Sequence, residues 1–403
     1  MYWLYNISML IYGLLVRLAS LFNAKAKLFV NGRKQIFRHI SAKFNPNDQP
    51  IWFHFASLGE FEQGRPVLES IKVLKPNEKI IVTFFSPSGY EIRKNYTLAD
   101  GIYYLPLDTI SNAKKFIALV NPRMAIFTKY EFWPNYFRTL ANANIPLYII
   151  SGIFRPNQVF FKVYGGFYRN VLGYVTHFFV QNEESAALLK DIGINNVAIS
   201  GDTRFDRVYE NAQAPKKLPI IEAFCGKLPV LIAGSTWPED EKLLVGLATK
   251  NPNWKIVIAP HEIHEGHLNT IFDLFPNALK LSAINSNMEL KSQILVIDNI
   301  GMLSSLYQYG KIAYIGGGFG VGIHNTLEAA AFGLPVIFGP NYHKFQEAKD
   351  LIEIGAAKSI SNTEELSTAF DHYVQQESGM LAKNFVASKK GATEMIIKKI
   401  FGD

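Results

Sequence analysis

The sequence predicts an α/β protein made of two doubly wound parallel sheets behind an apolar N-terminal helix. Three observations predict it. Short apolar runs alternate with segments at helical spacing, the pattern of parallel strands and their crossover helices. That rhythm breaks once, in a polar, proline-bearing stretch at 209–228, and then restarts. Finally, 312–347 reads as strand, glycine loop, helix and strand in one repeat.

Residues 1–22, MYWLYNISMLIYGLLVRLASLF, carry a single charge, Arg17. No basic stretch precedes the apolar part and no small-residue cleavage site ends it, which argues against a cleaved signal peptide. As a helix the segment would extend about 33 Å, enough to cross a bilayer core. Residues 1–24 are therefore read as a membrane anchor, spanning or deeply inserted. A helix lying in the interface and a helix packed on the protein are the alternatives. Lys25, Lys27, Arg33, Lys34 and Arg38 follow, and this positive flank assigns the remainder to the cytoplasmic side.

Strands are expected at 51–56, 80–85, 102–105, 124–127, 147–150, 178–180 and 197–199, with helices between them. Asn211 to Pro219 reads as a linker, so the first half covers 25–210 and the second 211–403. The second half has apolar runs at 230–233, 256–258, 294–297, 312–315 and 336–338. The last helices, from about Thr363 to Phe401, cap the second half or cross back to the first. A cleft between the halves is the expected ligand site.

A chain of 403 residues that is 48% hydrophobic and 19% charged is too apolar for disorder. Its net charge of +7 suits anionic lipid or phosphorylated substrates. Nucleic acid is disfavoured because the aromatics sit inside apolar runs, with no basic-aromatic platform. Cys225 is the single cysteine, so no internal disulfide can form.

Common nucleotide motifs fail. Val321 stands where a dinucleotide fingerprint starting at Gly316 needs its last glycine, and neither a Walker loop nor a G-x-S-x-G elbow is present. Glu60 follows the first strand, where a carboxylate beside apolar residues can act as a base. The structural alternative is that Glu60 and Glu62 only favour a helix N-terminus. Glu328, three residues after Asn325, is either half of a capping box or a carboxylate that accepts ribose hydroxyls. The glycine loop feeding that helix is read as an anion site. His261, His264 and His267 match no zinc pattern, and His261, directly after a strand, is the best placed of them. Ser235 and Thr236 suit phosphate contact, and Asp240 is placed to cap the helix behind them. Lys129, Arg155, Arg169, Arg204 and Arg207 are further cations near strand ends.

Together these segments resemble the 3-deoxy-D-manno-octulosonic acid (Kdo) transferases of lipopolysaccharide biosynthesis. The likeness rests on the apolar anchor, Ala56-Ser57-Leu58-Gly59-Glu60, Phe85-Ser86-Pro87-Ser88-Gly89-Tyr90 and Glu131-Phe132-Trp133-Pro134-Asn135. It continues through 201–206 (GDTRFD), 233–237 (AGSTW) and His324-Asn325-Thr326-Leu327-Glu328, in that order. The resemblance implies a GT-B fold with two Rossmann-like domains, an acceptor-binding first half and a nucleotide-sugar-binding second half. It implies inverting transfer of Kdo from CMP-Kdo to the lipid A precursor (lipid IVA) at the cytoplasmic face of the inner membrane. Neither a cofactor nor a metal is expected, and no obligate protein partner. By the same resemblance Glu60 is the general base. The CMP contacts are Pro260 and His261; Ile300, Gly301 and Met302; and Asn325, Thr326, Leu327 and Glu328. The remaining alternatives are another GT-B enzyme using a UDP-sugar, a transferase or an epimerase, and a non-catalytic membrane-docked nucleotide-sugar-binding protein.

Overall fold

The computed structural model describes residues 1–285, 289–376 and 378–402. Two compact units divide the chain: Met1–Asp206 with Lys390–Asp403, and Arg207–Lys389.

The first unit holds β1 (Ile51–Phe55), β2 (Ile80–Phe84), β3 (Gly101–Tyr104), β4 (Met124–Thr128), β5 (Leu147–Gly152), β6 (His177–Val180) and β7 (Val197–Ile199). They form one 7-stranded sheet, in the order β3-β2-β1-β4-β5-β6-β7. Every pairing is parallel. β1 and β2 are buried at all five positions, as strands covered on both faces must be, and this explains their continuous apolar reading. The chain runs outward from β1 to β3 and restarts at β4, so β1 and β4 flank the switch point.

In the second unit, β8 (Val230–Thr236), β9 (Lys255–Pro260), β10 (Leu279–Lys280), β11 (Ile294–Val296), β12 (Ile312–Ile315), β13 (Val336–Phe338) and β14 (Ala357–Ser359) repeat the plan. The order is β10-β11-β9-β8-β12-β13-β14, again parallel, with the switch point between β8 and β12. The two-domain, Rossmann-like architecture expected from the sequence is the one observed. β10 and β14 were not expected: they are short, and Lys280, Lys358 and Ser359 interrupt their apolar character.

One expectation is corrected. The stretch at 209–228 is mostly helical, occupied by Arg204–Gln213 and Pro219–Cys225. Pro219 opens the second of these helices, where its missing N–H costs nothing. Ile221, Phe224 and Cys225 bury a face that polar neighbours conceal in the sequence.

Four helices matter for the first unit: α1 (Tyr2–Ala19), α2 (Ala24–Asn31), α3 (Ile36–Ser41) and α4 (Leu58–Leu74). α1 has 18 residues and is long and apolar enough to cross a membrane. Yet one face, at helical spacing, is bound to the unit. The rings of Tyr2 and Tyr5 lie 4.9 and 6.2 Å from Phe167. Tyr5 donates to Asp108, Asn6 accepts from Asn135 at 3.0 Å, and the Tyr12 ring packs 6.2 Å from Phe29. Spanning a bilayer would strip Tyr5 and Asn6 of these partners. The opposite face, with Trp3, Leu10, Leu14 and Leu18, is exposed.

The final helix, Ala392–Phe401, belongs to the first unit. Ile396 and Ile397 join the cluster of Phe55, Phe61 and Leu68. Asp206 accepts from the Thr393 amide and hydroxyl, both at 2.7 Å, and from the Gly391 amide.

Candidate active site

Each switch point gathers one group of polar side chains. In the first unit, β1 leads through Ala56 and Ser57 into α4, whose third residue is Glu60. Its Oε2 accepts from the Ala56 amide at 2.6 Å and the Ser57 amide at 3.1 Å. The capping reading of Glu60 is the one observed: one carboxylate oxygen closes the helix, while no hydrogen bond to Oε1 is formed among the described residues. Burial, and after it the charge of Glu131, push the Glu60 carboxyl up to about 7. Amide donation and Lys129 oppose that rise. Glu62 is structural, held by Arg93 at 2.5 Å and by Arg65.

Glu131 comes from the loop after β4, the strand beside β1. Its Oε2 accepts from Trp133 Nε1 at 2.9 Å and lies 3.2 Å from His54 Nε2. His54 is fully buried on β1, and its Nδ1 is 2.9 Å from Thr83 Oγ1. Because a carboxylate only accepts, the His54 proton belongs on Nε2 and Thr83 donates to Nδ1. Burial lowers the His54 pKa, which keeps the ring neutral. Trp133 and His54 thus hold Glu131, whose charge acts on Glu60. In the sequence, Glu131 and Trp133 stand out only as part of the segment Glu131-Phe132-Trp133-Pro134-Asn135, and His54 lies unmarked inside an apolar run. Their common signal is position, at or just beyond the ends of the two strands flanking the switch point.

Two of the flagged cations are committed locally. Arg204 pairs with buried Asp202 at 2.8 Å, and Arg169 donates to the Phe160 and Lys162 carbonyls.

In the second unit three rings stack beyond β8, β9 and β12. The His261 ring lies 5.0 Å from Trp237 and 4.2 Å from His324, tilted by 27° and 21°. Trp237 Nε1 donates to His324 Nε2 at 3.1 Å. Burial, with the nearby His261, lowers the His324 pKa to about 4, so its ring is neutral and able to accept. Asp240 fixes the backbone beneath. It caps the helix Pro238–Lys250 by accepting from the Trp237 amide at 2.9 Å. It also accepts from the Gly317 amide at 2.9 Å and Tyr314 Oη at 2.8 Å, tying the glycine loop to β8.

The glycine loop does less for an anion than its composition suggests. The amides of Gly316, Gly317, Gly320 and Gly322 bond to Gly234 O, Asp240 and Gly317 O. A Cβ on Gly316 would stand 2.3 Å from Ser235 O, and one on Gly318 would stand 2.6 Å from the Gly339 backbone. These two glycines permit close backbone approach. Asn325, at the end of the loop, accepts from Leu327 N and donates to Glu328 Oε1, both at 3.1 Å. Thr326 is fully buried, and its Oγ1 has no partner among the described residues. Leu327, buried in the unit, opens the helix Leu327–Ala331.

Ser235 sits at φ 54° at the end of β8. Pro260 pairs with Thr236, and the His261 amide donates to Thr236 O at 3.0 Å. Ile300 is 88% exposed and Gly301 has φ 95°. Met302 precedes the helix Leu303–Leu306, and Leu303 packs close to Gly234. The field of Glu328 reaches Tyr307, which also packs on Gly234. Ser235, Pro260 and His261 thus share one edge with the ring stack. The 300–302 and 325–328 loops approach the same end of β8 through Leu303 and Tyr307. The three motif histidines part company: His267 pairs with buried Glu241 at 3.0 Å, and His264 caps the helix Glu265–Leu274.

A family model described as 3-deoxy-D-manno-octulosonic-acid transferase (kdotransferase) matches residues 31–207. The 3-deoxy-D-manno-octulosonic acid transferase of Aquifex aeolicus is 28% identical over 326 residues, 79% of this chain and 84% of that protein. The protein of the same name from Haemophilus influenzae is 27% identical, over 79% of this chain and 77% of its own length. Among solved structures, a UDP-GlcNAc 2-epimerase from Neisseria meningitidis superposes with a TM-score of 0.61 at 15% identity. It covers 88% of this chain and 100% of its own, a likeness of fold alone. The chain thus carries, at residues 31–207, a segment that matches the kdotransferase family model, and along most of its length it is similar to 3-deoxy-D-manno-octulosonic acid transferases.

Proposed function

We propose that the protein transfers Kdo from CMP-Kdo to the lipid A precursor, lipid IVA, at the cytoplasmic face of the inner membrane. The observation that carries this reading is Glu60: a half-capped carboxylate at a switch point, with its pKa raised to about 7 and one oxygen uncommitted. A base of that pKa is substantially ionised at neutral pH and still basic enough to accept a proton.

Glu60 takes the proton from an acceptor hydroxyl as that oxygen bonds to the anomeric carbon of Kdo. The bond from that carbon to the phosphate oxygen breaks, the configuration inverts, and CMP leaves as a phosphate monoester. The nucleotide occupies the edge marked by Pro260 and His261, the 300–302 loop and Asn325–Glu328. Ser235 and Asn325 are the donors to its phosphate, fully buried Thr326 lies beneath them, and Glu328 accepts from the ribose. With those donors, the reaction is proposed to need no metal. The exposed face of α1, flanked by the basic 25–38 segment, rests in the membrane surface where the acceptor is concentrated.

The test is incubation with CMP-Kdo and lipid IVA, the products being read by mass. Addition of Kdo and release of CMP are expected, unchanged by EDTA. Glu60→Gln should cut the rate by about 10²–10⁴-fold while keeping CMP-induced thermal stabilisation. Stabilisation by UDP and not CMP would turn the reading towards a UDP-sugar enzyme.

A further inference from the structure

The first unit contains a cavity that the transfer reaction does not use. It measures about 750 Å³, is open on one side, and is lined by α1, α2, α3 and the segment 106–115. That is the size of a site for one medium-sized ligand. Neither Glu60 nor Glu131 lines it.

Its chemistry has two parts. Gly13 and Val16 of α1, Phe29 of α2, Phe37 of α3 and Leu107 give an apolar wall. Arg17, Lys34, Arg38 and Lys115 supply four cations, and no carboxylate is among the lining residues. None of the four has an ion-pair partner among the described residues; Lys115 Nζ only sits 4.6 Å from the Phe37 ring. Beneath them Arg33 adds positive charge, although its own donors are spent on the Phe29, Leu105 and Phe85 carbonyls. The occupant that such a site suits is anionic at one end and apolar at the other.

The position narrows the class. On α1, the lining positions 13, 16 and 17 run alongside Leu10, Leu14 and Leu18, which are 64%, 57% and 54% exposed. The same helix thus walls the cavity and presents an apolar stripe to its surroundings. A lipid in the adjoining leaflet can enter without leaving an apolar environment. A disaccharide carrying several acyl chains is larger than the cavity, and its reacting hydroxyl must reach Glu60, which lies elsewhere.

We propose that this cavity binds one anionic glycerophospholipid of the bilayer, with its phosphate among Arg17, Lys34, Arg38 and Lys115 and the start of an acyl chain against α1 and α2. The lipid is a ligand rather than a substrate. It cements α1 to the unit and fixes the depth at which the unit sits. The inference rests on membrane seating of α1 and not on the identity of the sugar donor.

The full chain, purified in mild detergent, is offered equimolar phosphatidylglycerol and phosphatidylcholine and read by native mass spectrometry. One retained phosphatidylglycerol per chain is expected, preferred by about tenfold or more, since each basic residue near a membrane surface favours anionic lipid by about 1 kcal/mol. Lys34→Glu with Arg38→Glu should abolish the preference while leaving the melting temperature and sedimentation with phosphatidylcholine vesicles unchanged. Should that variant misfold, the wild-type preference and its loss in high salt give the same reading. Equal retention of both lipids, or retention unaffected by the double variant, overturns the proposal. So does displacement of phosphatidylglycerol by stoichiometric lipid IVA, which would assign the cavity to the acceptor, or by millimolar inorganic phosphate, which would make it a simple anion site.

Discussion

Tyr5 donates its hydroxyl to Asp108 Oδ2 across 2.7 Å, and through that bond α1 reaches the segment that carries Glu131 and Trp133. Asp108 also accepts from the Asn135 and Tyr136 amides at 3.0 and 2.9 Å, at the start of the helix Pro134–Asn142. Asn135 in turn donates to Asn6 on α1 at 3.0 Å. Helix α1 therefore braces the start of the helix that follows Glu131 and Trp133.

Burial raises the Asp108 pKa to about 6, and the Tyr5 bond holds it from rising further. A carboxyl raised in the folded state favours folding below its unfolded pKa and loses that contribution as pH rises through 6. Tyr5→Phe removes a donor to the ionised form. It should cost about 1–3 kcal/mol at pH 8, and much less near pH 4, where Asp108 is protonated. Urea unfolding at the two pH values checks this; an equal loss at both would sever the link between Tyr5 and the charge.

The base role proposed for Glu60 requires it ionised, so turnover should climb as pH rises through about 7. Because the charge of Glu131 helps hold that value up, Glu131→Gln should move the rising limb to lower pH. The measurement is the pH profile of kcat/KM in wild type and variant. A limb that stays in place would mean that Glu131 does not act through Glu60.

Trp237 and His324 should matter for nucleotide and not for acceptor. Trp237→Phe keeps a ring beside His261 but removes the donor to His324, freeing that imidazole to turn. CMP-induced thermal stabilisation should weaken by about tenfold in apparent affinity, the value of one lost hydrogen bond, with lipid binding unchanged. His324 also makes the second unit acid-sensitive. Its folded pKa is depressed to about 4, so its contribution to stability is present above 6.5 and lost as pH falls through 4.

Gly316→Ala places a methyl 2.3 Å from Ser235 O and 2.6 Å from Thr236 Cα, both backbone atoms that cannot step aside. A loss of about 1–3 kcal/mol in chemical unfolding is expected, with nucleotide binding falling in parallel. An alanine tolerated at no cost would show that the loop and β8 are not locked together.

Much of the fold was legible because each sheet is covered on both faces. β1 and β13 are buried at every position, and the sequence shows them as unbroken apolar runs. The helix Pro219–Cys225 escaped because its buried face is three residues set among lysines and prolines. Glu60 was legible as a carboxylate just past a strand, but not the size of its perturbation. That depends on Glu131, brought near only because β4 pairs with β1. The Trp237–His324 bond joins residues 87 apart in the chain. The glycine loop misled for a definite reason: a missing Cβ serves an approaching phosphate and an approaching backbone equally, and composition cannot distinguish them.

Asp206 grips Gly391 and Thr393 where the chain leaves the first unit and where it re-enters. Topologically the second unit is an insertion, and its 183 residues, Arg207–Lys389, are all translated before the first unit receives its last helix. During synthesis, then, the later unit is the first that can be complete. The earlier one waits, with the hydrophobic seat of Ile396 and Ile397 empty until the helix Ala392–Phe401 has been made. Disruption of the helix Ala392–Phe401 should therefore injure the unit built mainly from the first 206 residues and spare the unit that precedes the helix in the chain.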